Sequence, residues 1–437
     1  MKRKIKIVLS SLFQDAGEAT RGLEIADGLT ANCPPGFKAD ITFLSHGGQY
    51  EKMIADEGYR IERASPKMSC ADFWKDMKTK DFQFIGDEKL AYTIAQGEIK
   101  AFKAIKPDVV LHGFWPTAGI AAKCTHAPVE IAYMPLPFAK GPFSTFLMKD
   151  LPDFIKATAY LPDSLRKKIM SLVPKKLKLK SPWVRQQTLC AAAKKLGTQN
   201  INDIFDMMKA DLTVVNDLPA FYEGNDIPGG FTVTGPLFAQ PKEDMPVPGE
   251  INELFNCGAG KIKIFCTLGS SGRRRNLLEA VAALRMLSKN EYCAVVLCPP
   301  SVCGLEEARD MIFRYDNIFI TDKFVPAAKV NSMADVVVCH GGQGTVQTAV
   351  YSGTPLVGFA VQPEQQINLE HISERGAGIR LPSKKWEADK IADAVETVAH
   401  DASYRKNMEE LRRMLMHTDG QKNSAQAIWK FIGARFA

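Results

Sequence analysis

A short apolar run that passes without transition into glycines constrains this chain more than any other feature. Val336-Val-Val-Cys339 has the β-branched composition of a buried strand, and His340-Gly341-Gly342-Gln343-Gly344-Thr345 follows at once. A helical run, Val346 to Ser352, comes next, and then Gly353-Thr354-Pro355 and another apolar stretch. Strand, glycine turn and helix in that order form the repeating unit of a parallel α/β sheet. Glycines in such a turn let backbone N–H groups approach a ligand closely. The helix N-terminus beyond them favours an anion by ~0.3–2 kcal/mol, which suits a diphosphate. His340 stands where a ring N–H can bond a phosphate oxygen. Taken alone, such a turn reads first as a tight turn with a capping histidine and no ligand; here the pattern extends well past it.

The same alternation runs along the whole chain. Strands are expected at Ile5–Leu9, Ile41–Leu44, Asp108–Leu111, Val129–Tyr133, Asp211–Val215 and Phe231–Thr234, with a helix over Glu18–Thr30. A stretch rich in Pro, Gly and acid, 235–250, interrupts the pattern. Strands resume at Ile262–Cys266, Ala294–Leu297, Ile318–Ile320, Leu356–Phe359 and Gly378–Leu381. The expected division is an N-terminal domain over 1–235, a linker over 236–250 and a C-terminal domain over 251–420. A closing helix over 421–437 returns to the N-terminal domain. Two doubly wound α/β domains bind ligands outside the carboxyl ends of their strands, in the cleft where the domains face each other.

With 437 residues the chain exceeds one ordinary core. Its 46% hydrophobic and 24% charged residues are those of a soluble enzyme, and its net charge of +7 is too mild for a nucleic-acid binder. No run reaches the ~18 apolar residues of a membrane span. The apolar N-terminus is cut by Gln14, Asp15 and Glu18 without a small-residue cleavage site, so it reads as a strand, not a signal peptide, and a cytoplasmic location is expected. The ten cysteines form no C-x-x-C pair; even Cys293, Cys298 and Cys303 lack a nearby histidine, so buried reduced thiols are expected and no metal site.

His340-Gly-Gly-Gln-Gly-Thr345, Gly353-Thr-Pro355, Glu364-Gln365, Asn368 and Gly376-Ala-Gly378 together resemble the donor motif of nucleotide-sugar-dependent glycosyltransferases of the UDP-glycosyltransferase family, in its bacterial, antibiotic and sterol-type members. The resemblance covers most of the C-terminal half and implies the GT-B fold, two Rossmann-like domains facing across a cleft. It implies that Gly342, Gly344 and Thr345 hold a diphosphate with His340, and that Glu364 and Gln365 hold the donor sugar, Glu364 replacing the usual Asp. Phe324-Val325-Pro326 matches the segment that packs on the base, and Gly269-Ser270-Ser271 the second phosphate-facing loop, with Arg273 as added charge or as a solvated helix start. Many relatives carry a ribose-binding Glu three residues beyond the motif's Thr. Here that position is Thr348, beside Gln347, as in members of which some use thymidine donors. UDP is the first expectation and TDP the second.

In the N-terminal half, Gly17-Glu18-Ala-Thr-Arg21 resembles the family's G-H-x-x-R segment, with Glu18 in place of the catalytic His. The partner Asp falls at Gly113, preceded by His112. A carboxylate can serve as general base, and an exchange of roles is one reading: His112 takes the proton while Glu18 orients it. Helix-start and strand-end packing is the other. His46 reads as a turn residue, or as part of the acceptor site.

Seven basic residues and no acid lie within 165–180, with Leu165, Ile169, Leu172 and Val173 on one helical face. Such a segment suits an anionic membrane or a lipid-linked acceptor, or is a solvated flap. The resemblance thus implies an inverting, metal-independent hexosyltransferase without cofactor, its co-substrate a nucleotide sugar and its acceptor an apolar small molecule or lipid. A nucleotide-sugar epimerase and an inactive nucleotide- or lipid-binding relative are the alternatives.

Overall fold

The computed structural model describes residues 2–436 except 78, 81–82, 138, 140–147, 154, 175–176, 178–179, 181, 199, 226, 239–244, 258–259, 270–271 and 324, and the side chains of 74, 182, 183 and 257. The chain divides into two compact units, one formed by Met1–Phe146, Val173–Leu237 and Thr418–Ala437, the other by Leu147–Leu172 and Phe238–His417.

The first unit holds one parallel sheet of β1 (Arg3–Ser10), β2 (Phe37–Ser45), β3 (Arg60–Arg63), β4 (Val109–His112), β5 (Val129–Met134), β6 (Leu212–Val215) and β7 (Phe231–Val233), in the order β3-β2-β1-β4-β5-β6-β7. Its central strands are buried on both faces, which is why they read as unbroken apolar runs. β3 is Arg-Ile-Glu-Arg at the sheet edge and largely exposed; without an apolar run it gives no signal in the sequence. Leu9, Phe43, Leu111 and Ile131 share a core with Ala425, Ile428, Trp429 and Ile432 of the last helix, Gly420–Phe436. The indole N–H of Trp429 donates to Leu29 O at 2.9 Å. A Cβ on Gly28 would stand 2.8 Å from Gln421 O, so glycine allows the helix Ala16–Ala31 to lie this close to it.

The second unit holds β8 (Ile262–Thr267), β9 (Tyr292–Leu297), β10 (Ile318–Thr321), β11 (Val336–Cys339), β12 (Leu356–Gly358) and β13 (Gly378–Arg380), all parallel in the order β10-β9-β8-β11-β12-β13. Val336, Val338 and Val357 sit in a core closed by Leu277, Val281, Ile391 and Val395. Both sheets reverse strand order beside their first strand, the place where this architecture leaves a ligand crevice.

Residues 147–172 differ from the sequence-based division. They fold with the second unit, where Arg166, 1% exposed, pairs with Asp150 at 3.1 Å. The expected linker ends in a helix, Gly249–Cys257, and 239–244 lie outside the described residues. Among the described cysteines, Cys266, Cys293, Cys298, Cys303 and Cys339 are buried free thiols. Among the described residues no helix is long and apolar enough to cross a membrane.

Candidate functional site

The glycine turn lies at the carboxyl end of β11. The helix beyond it, Gln343–Ser352, opens three residues before its apolar pattern begins, with Gly342 as N-cap. Gly344 and Thr345 therefore stand in the first turn, where an α-helix leaves its N–H groups without intrahelical acceptors. Gly344 is exposed, and a Cβ there would meet nothing within 4 Å.

His340 is 5% exposed and wedged between two glycines. A Cβ on Gly269 would be 2.7 Å from its Cε1, and one on Gly342 would be 2.8 Å from its Nε2. Gly269 also has φ +57, so glycine is required there twice over. Burial pushes the imidazole down to about 4, so it is neutral at physiological pH. Its Nδ1 is buried without a hydrogen-bond partner among the described residues. A buried orphan of that kind costs ~1–3 kcal/mol unless something outside the chain satisfies it. The residues fit an anionic group, for which the turn supplies neutral N–H donors and no like charge of its own.

Glu364 closes the turn from the next helix, Pro363–Glu374. Its Oε1 accepts from Gln343 N at 3.2 Å and from the Asn368 amide, which also donates to Gly341 O at 3.0 Å. Gln365 is buried and its Oε1 accepts from Val361 N at 3.0 Å, which fixes the approach to the helix. Val325 is buried in the core with Phe265 and Val295. Phe324, Ser270 and Ser271 lie outside the described residues; Arg273 is exposed at the start of the helix Arg274–Met286. Thr348 turns its hydroxyl back onto its own helix, 2.8 Å from Gly344 O, and Gln347 is buried on the inner face.

In the first unit, Glu18 lies in the first turn of Ala16–Ala31, whose N-cap Asp15 accepts from Glu18 N at 3.0 Å. Its carboxylate is 5% exposed, pairs with Arg21 and accepts from Phe114 N at 3.1 Å. A Cβ on Gly113 would stand 2.1 Å from Glu18 Oε2 and 2.8 Å from the Tyr133 hydroxyl. Glu18 thus fills the space that a side chain at position 113 would need.

His112 does not join it. The ring is fully buried, with Nδ1 3.0 Å from Gly113 O and Nε2 3.1 Å from Glu130 Oε1. Lys123 Nζ holds the same Glu130 oxygen at 2.7 Å. The expected exchange, in which Glu18 orients His112, is corrected accordingly: Glu130 orients it, and no bond links His112 to Glu18. Sequence reasoning passed over Glu130, although a lone carboxylate inside the apolar run Val129–Met134 was a legible sign of a buried partner.

His46 is buried with Nδ1 2.9 Å from Pro66 O, and burial lowers it to about 4. Its neighbour Glu98 is fully buried, accepts from Ser10 Oγ and Trp115 Nε1 at 2.9 and 2.8 Å, and is pushed up to about 7 by burial. His126 and His417 cap helices, His371 is buried and His400 meets the Tyr292 hydroxyl. Among the described residues no cluster of three or more His, Cys, Asp or Glu is arranged to hold a metal.

Residues 307–421 match the family model of the erythromycin biosynthesis protein CIII-like C-terminal domain. A PGL/p-HBAD biosynthesis rhamnosyltransferase of Mycobacterium bovis is 28% identical over 197 residues, 45% of this chain and 40% of the relative. The chain therefore spans about two fifths of the length of such curated relatives. The structure of the glycotransferase of kitacinnamycin superposes over 100% of both chains with TM-score 0.68 at 18% identity. Glycosyltransferase VinC in complex with dTDP covers 99% of each chain with TM-score 0.63 at 13% identity. The two parallel α/β units of this chain are the GT-B fold.

Proposed function

We propose that this chain is a glycosyltransferase of the natural-product type that moves a hexose-like sugar from a nucleotide diphosphate to a hydroxyl of an apolar acceptor, with inversion at the anomeric carbon. The observation that carries the reading is His340: a buried, neutral imidazole with an orphaned Nδ1, framed by two glycines at a helix N-terminus. The named relatives, glycosyltransferases in both sequence and structure comparison, point the same way.

In this reading His340 and the first-turn N–H groups stabilise the negative charge that builds on the departing diphosphate, the largest single contribution in such transfers. Glu364 orients the sugar. Glu18 takes the proton of the acceptor hydroxyl; the hydroxyl oxygen bonds to the anomeric carbon as the bond to the diphosphate oxygen breaks, and the electron pair leaves with the diphosphate. His112 and Glu130 hold Gly113, and with it the wall against Glu18. No step calls on a metal.

Thymidine diphosphate is favoured over UDP as the carrier, a reversal of the order expected from sequence. Position 348 offers no carboxylate for a ribose 2′-hydroxyl, its threonine being folded onto its helix, and VinC holds dTDP on the same fold.

Calorimetry with TDP, UDP and GDP tests the donor site. The expected result is binding of one diphosphate, lost in His340→Ala. If the intact protein binds none of the three, the reading fails. Conversion of a nucleotide sugar without acceptor would establish the epimerase instead, and binding without turnover on any acceptor the inactive relative.

The basic segment adds a membrane contact to this reading. Leu165 and Leu172 of the helix Asp163–Leu172 are 42% and 72% exposed, with Lys167 and Lys168 between them. Its inner face, missed in the sequence, is Arg166 and Met170. Exposed leucines beside lysines suit an anionic bilayer. Sedimentation with phosphatidylserine liposomes at low salt is expected, and its absence retires the contact.

A further inference from the structure

The helix Pro363–Glu374 has two working faces. Glu364 and Asn368, one turn apart, face the glycine turn. Gln366, Glu370 and Glu374, also at four-residue spacing, face the segment that begins near Lys149. That segment precedes the helix by more than two hundred residues, yet it belongs to the same compact unit.

The contact is dense and polar. Gln366 Oε1 accepts from Asp153 N at 2.9 Å, and its Nε2 donates to Leu151 O at 3.1 Å and to Glu370 Oε1 at 2.8 Å. Glu370 Oε2 accepts from Lys149 N at 3.0 Å, and Lys149 Nζ pairs with Glu374 at 2.7 Å. Behind them Arg380, at the end of β13, pairs with both Asp150 and Asp153, and Arg166 pairs with the same two carboxylates at 3.1 and 3.6 Å. Asp150, Asp153 and Arg166 are each at most 2% exposed, and Arg380 side-chain exposure is 7%. Further along, the Tyr160 hydroxyl meets Glu387 and Lys384 O at 3.2 and 3.1 Å.

A buried network of this size contributes little net stability over an apolar core of the same volume, because each charge is taken out of water. Its distinctive property is geometric: paired charges and amides accept one arrangement and penalise the rest. The arrangement here fixes the rotation and height of one helix, and that helix carries Glu364, half-buried, against the glycine turn.

We infer that the segment 149–172 is a strap that positions Glu364 for the donor sugar, with Gln366 and Arg380 as its positioning residues. The inference rests on the donor-site reading above and goes beyond it: the part of the chain that sequence order assigns to the acceptor half sets the sugar preference of the donor half. Glu364 reaches the turn through a hydrogen bond from Gln343 N, whereas the His340 ring is framed by Gly269 and Gly342, so a shift of the helix moves the carboxylate more than the imidazole.

The test uses the full chain and the variants Gln366→Met, Arg380→Met and Arg380→Lys. Calorimetry compares TDP and UDP with TDP-glucose, TDP-rhamnose and UDP-glucose, and hydrogen exchange follows amides of Pro363–Glu374 and of Gln343–Ser352. The expected result is a loss of roughly tenfold in affinity for the preferred sugar nucleotide, with the diphosphate within twofold of wild type. Exchange should rise in Pro363–Glu374 alone, and Arg380→Lys should recover part of both. Gln366→Met leaves the Arg380 and Arg166 ion pairs in place, and Glu370 keeps its bond from Lys149 N, so it reports even if Arg380→Met does not fold. Equal losses for diphosphate and sugar nucleotide, or unchanged exchange in Pro363–Glu374, overturn the strap. Failure of the wild type to bind any diphosphate overturns the donor reading itself.

Discussion

Glu18 occupies the volume that a side chain on Gly113 would claim: a Cβ there would lie 2.1 Å from Glu18 Oε2. The two departures from the family pattern are thus one departure. A carboxylate entering from the helix Ala16–Ala31 fills the place where the resemblance puts an Asp on the strand end, and glycine makes the room. Tyr133 closes the far side, its hydroxyl 3.2 Å from Ser11 Oγ.

Gly113→Ala should therefore displace Glu18, at a cost of about 1–3 kcal/mol in stability from overpacking. Glu18→Gln should keep the fold and lower turnover by roughly a hundredfold or more. Gly113→Asp alone should be worse than either, and adding Glu18→His, the family arrangement, should restore part of the activity. Denaturant melts and steady-state turnover of these four variants and of Glu18→His alone check this; additive effects in the double variant would refute the coupling.

Gly342 and Gly344 lie two residues apart in sequence but in different surroundings. A Cβ on Gly342 would strike the His340 ring at 2.8 Å, whereas one on Gly344 would meet no protein atom within 4 Å. Gly342→Ala should lower diphosphate affinity about tenfold by moving the imidazole, with a small change in melting temperature. Gly344→Ala should melt within a degree or two of wild type, so any loss of diphosphate binding in it reports the ligand's own approach to the turn.

Thr348 directs its hydroxyl to Gly344 O and Thr345 O of its own helix, and its position carries no carboxylate. Thr348→Glu should raise affinity for UDP relative to TDP by roughly tenfold, the worth of one hydrogen bond to a charged group. Competition binding of the two diphosphates measures the ratio, and an unchanged ratio excludes position 348 from carrier selection.

Buried histidines and buried acids oppose each other in the pH dependence of stability. His46 and His340 are lowered to about 4 and His371 to about 3 by burial, so they stabilise the fold above their unfolded value near 6.5 and lose that contribution as pH falls toward 4. Glu98 and Glu370 are raised to about 7 and Asp153 to about 6, so their contribution is full below 4.5 and 3.8 and is lost as pH rises through 7 and 6. The two sets cancel over much of pH 4.5–6.5. Glu98→Gln keeps an acceptor for Ser10 and Trp115 and removes one raised acid. Relative to wild type, the variant should lose stability on going from pH 7 to 4.5, by about 1 kcal/mol per pH unit. Urea melts across that range check the slope; parallel curves would mean that Glu98 does not titrate there.

Much of the architecture was legible in the sequence because it rests on short-range physics. Strands buried on both faces must be apolar throughout, so Val109–His112 and Val336–Cys339 announce themselves, while Arg60–Arg63, an exposed edge, does not. The turn His340–Thr345 was equally plain, since only glycine permits that backbone beside an imidazole. The segment 165–172 was half legible: its exposed leucines and lysines were visible, its buried Arg166 was not, because an arginine is read as solvated until its partners are known.

The sequence by itself determined that two parallel α/β sheets form and where a strand ends in a glycine turn that opens a helix, because periodicity and turn chemistry act over a few residues. Only the tertiary structure decided that Glu18 meets Gly113, that Glu130 takes His112, and that Asp150 and Asp153 meet Arg380 across more than two hundred residues. Those pairings depend on which elements the topology brings together, and a buried charge finds its partner by position in space, a quantity that no local pattern records.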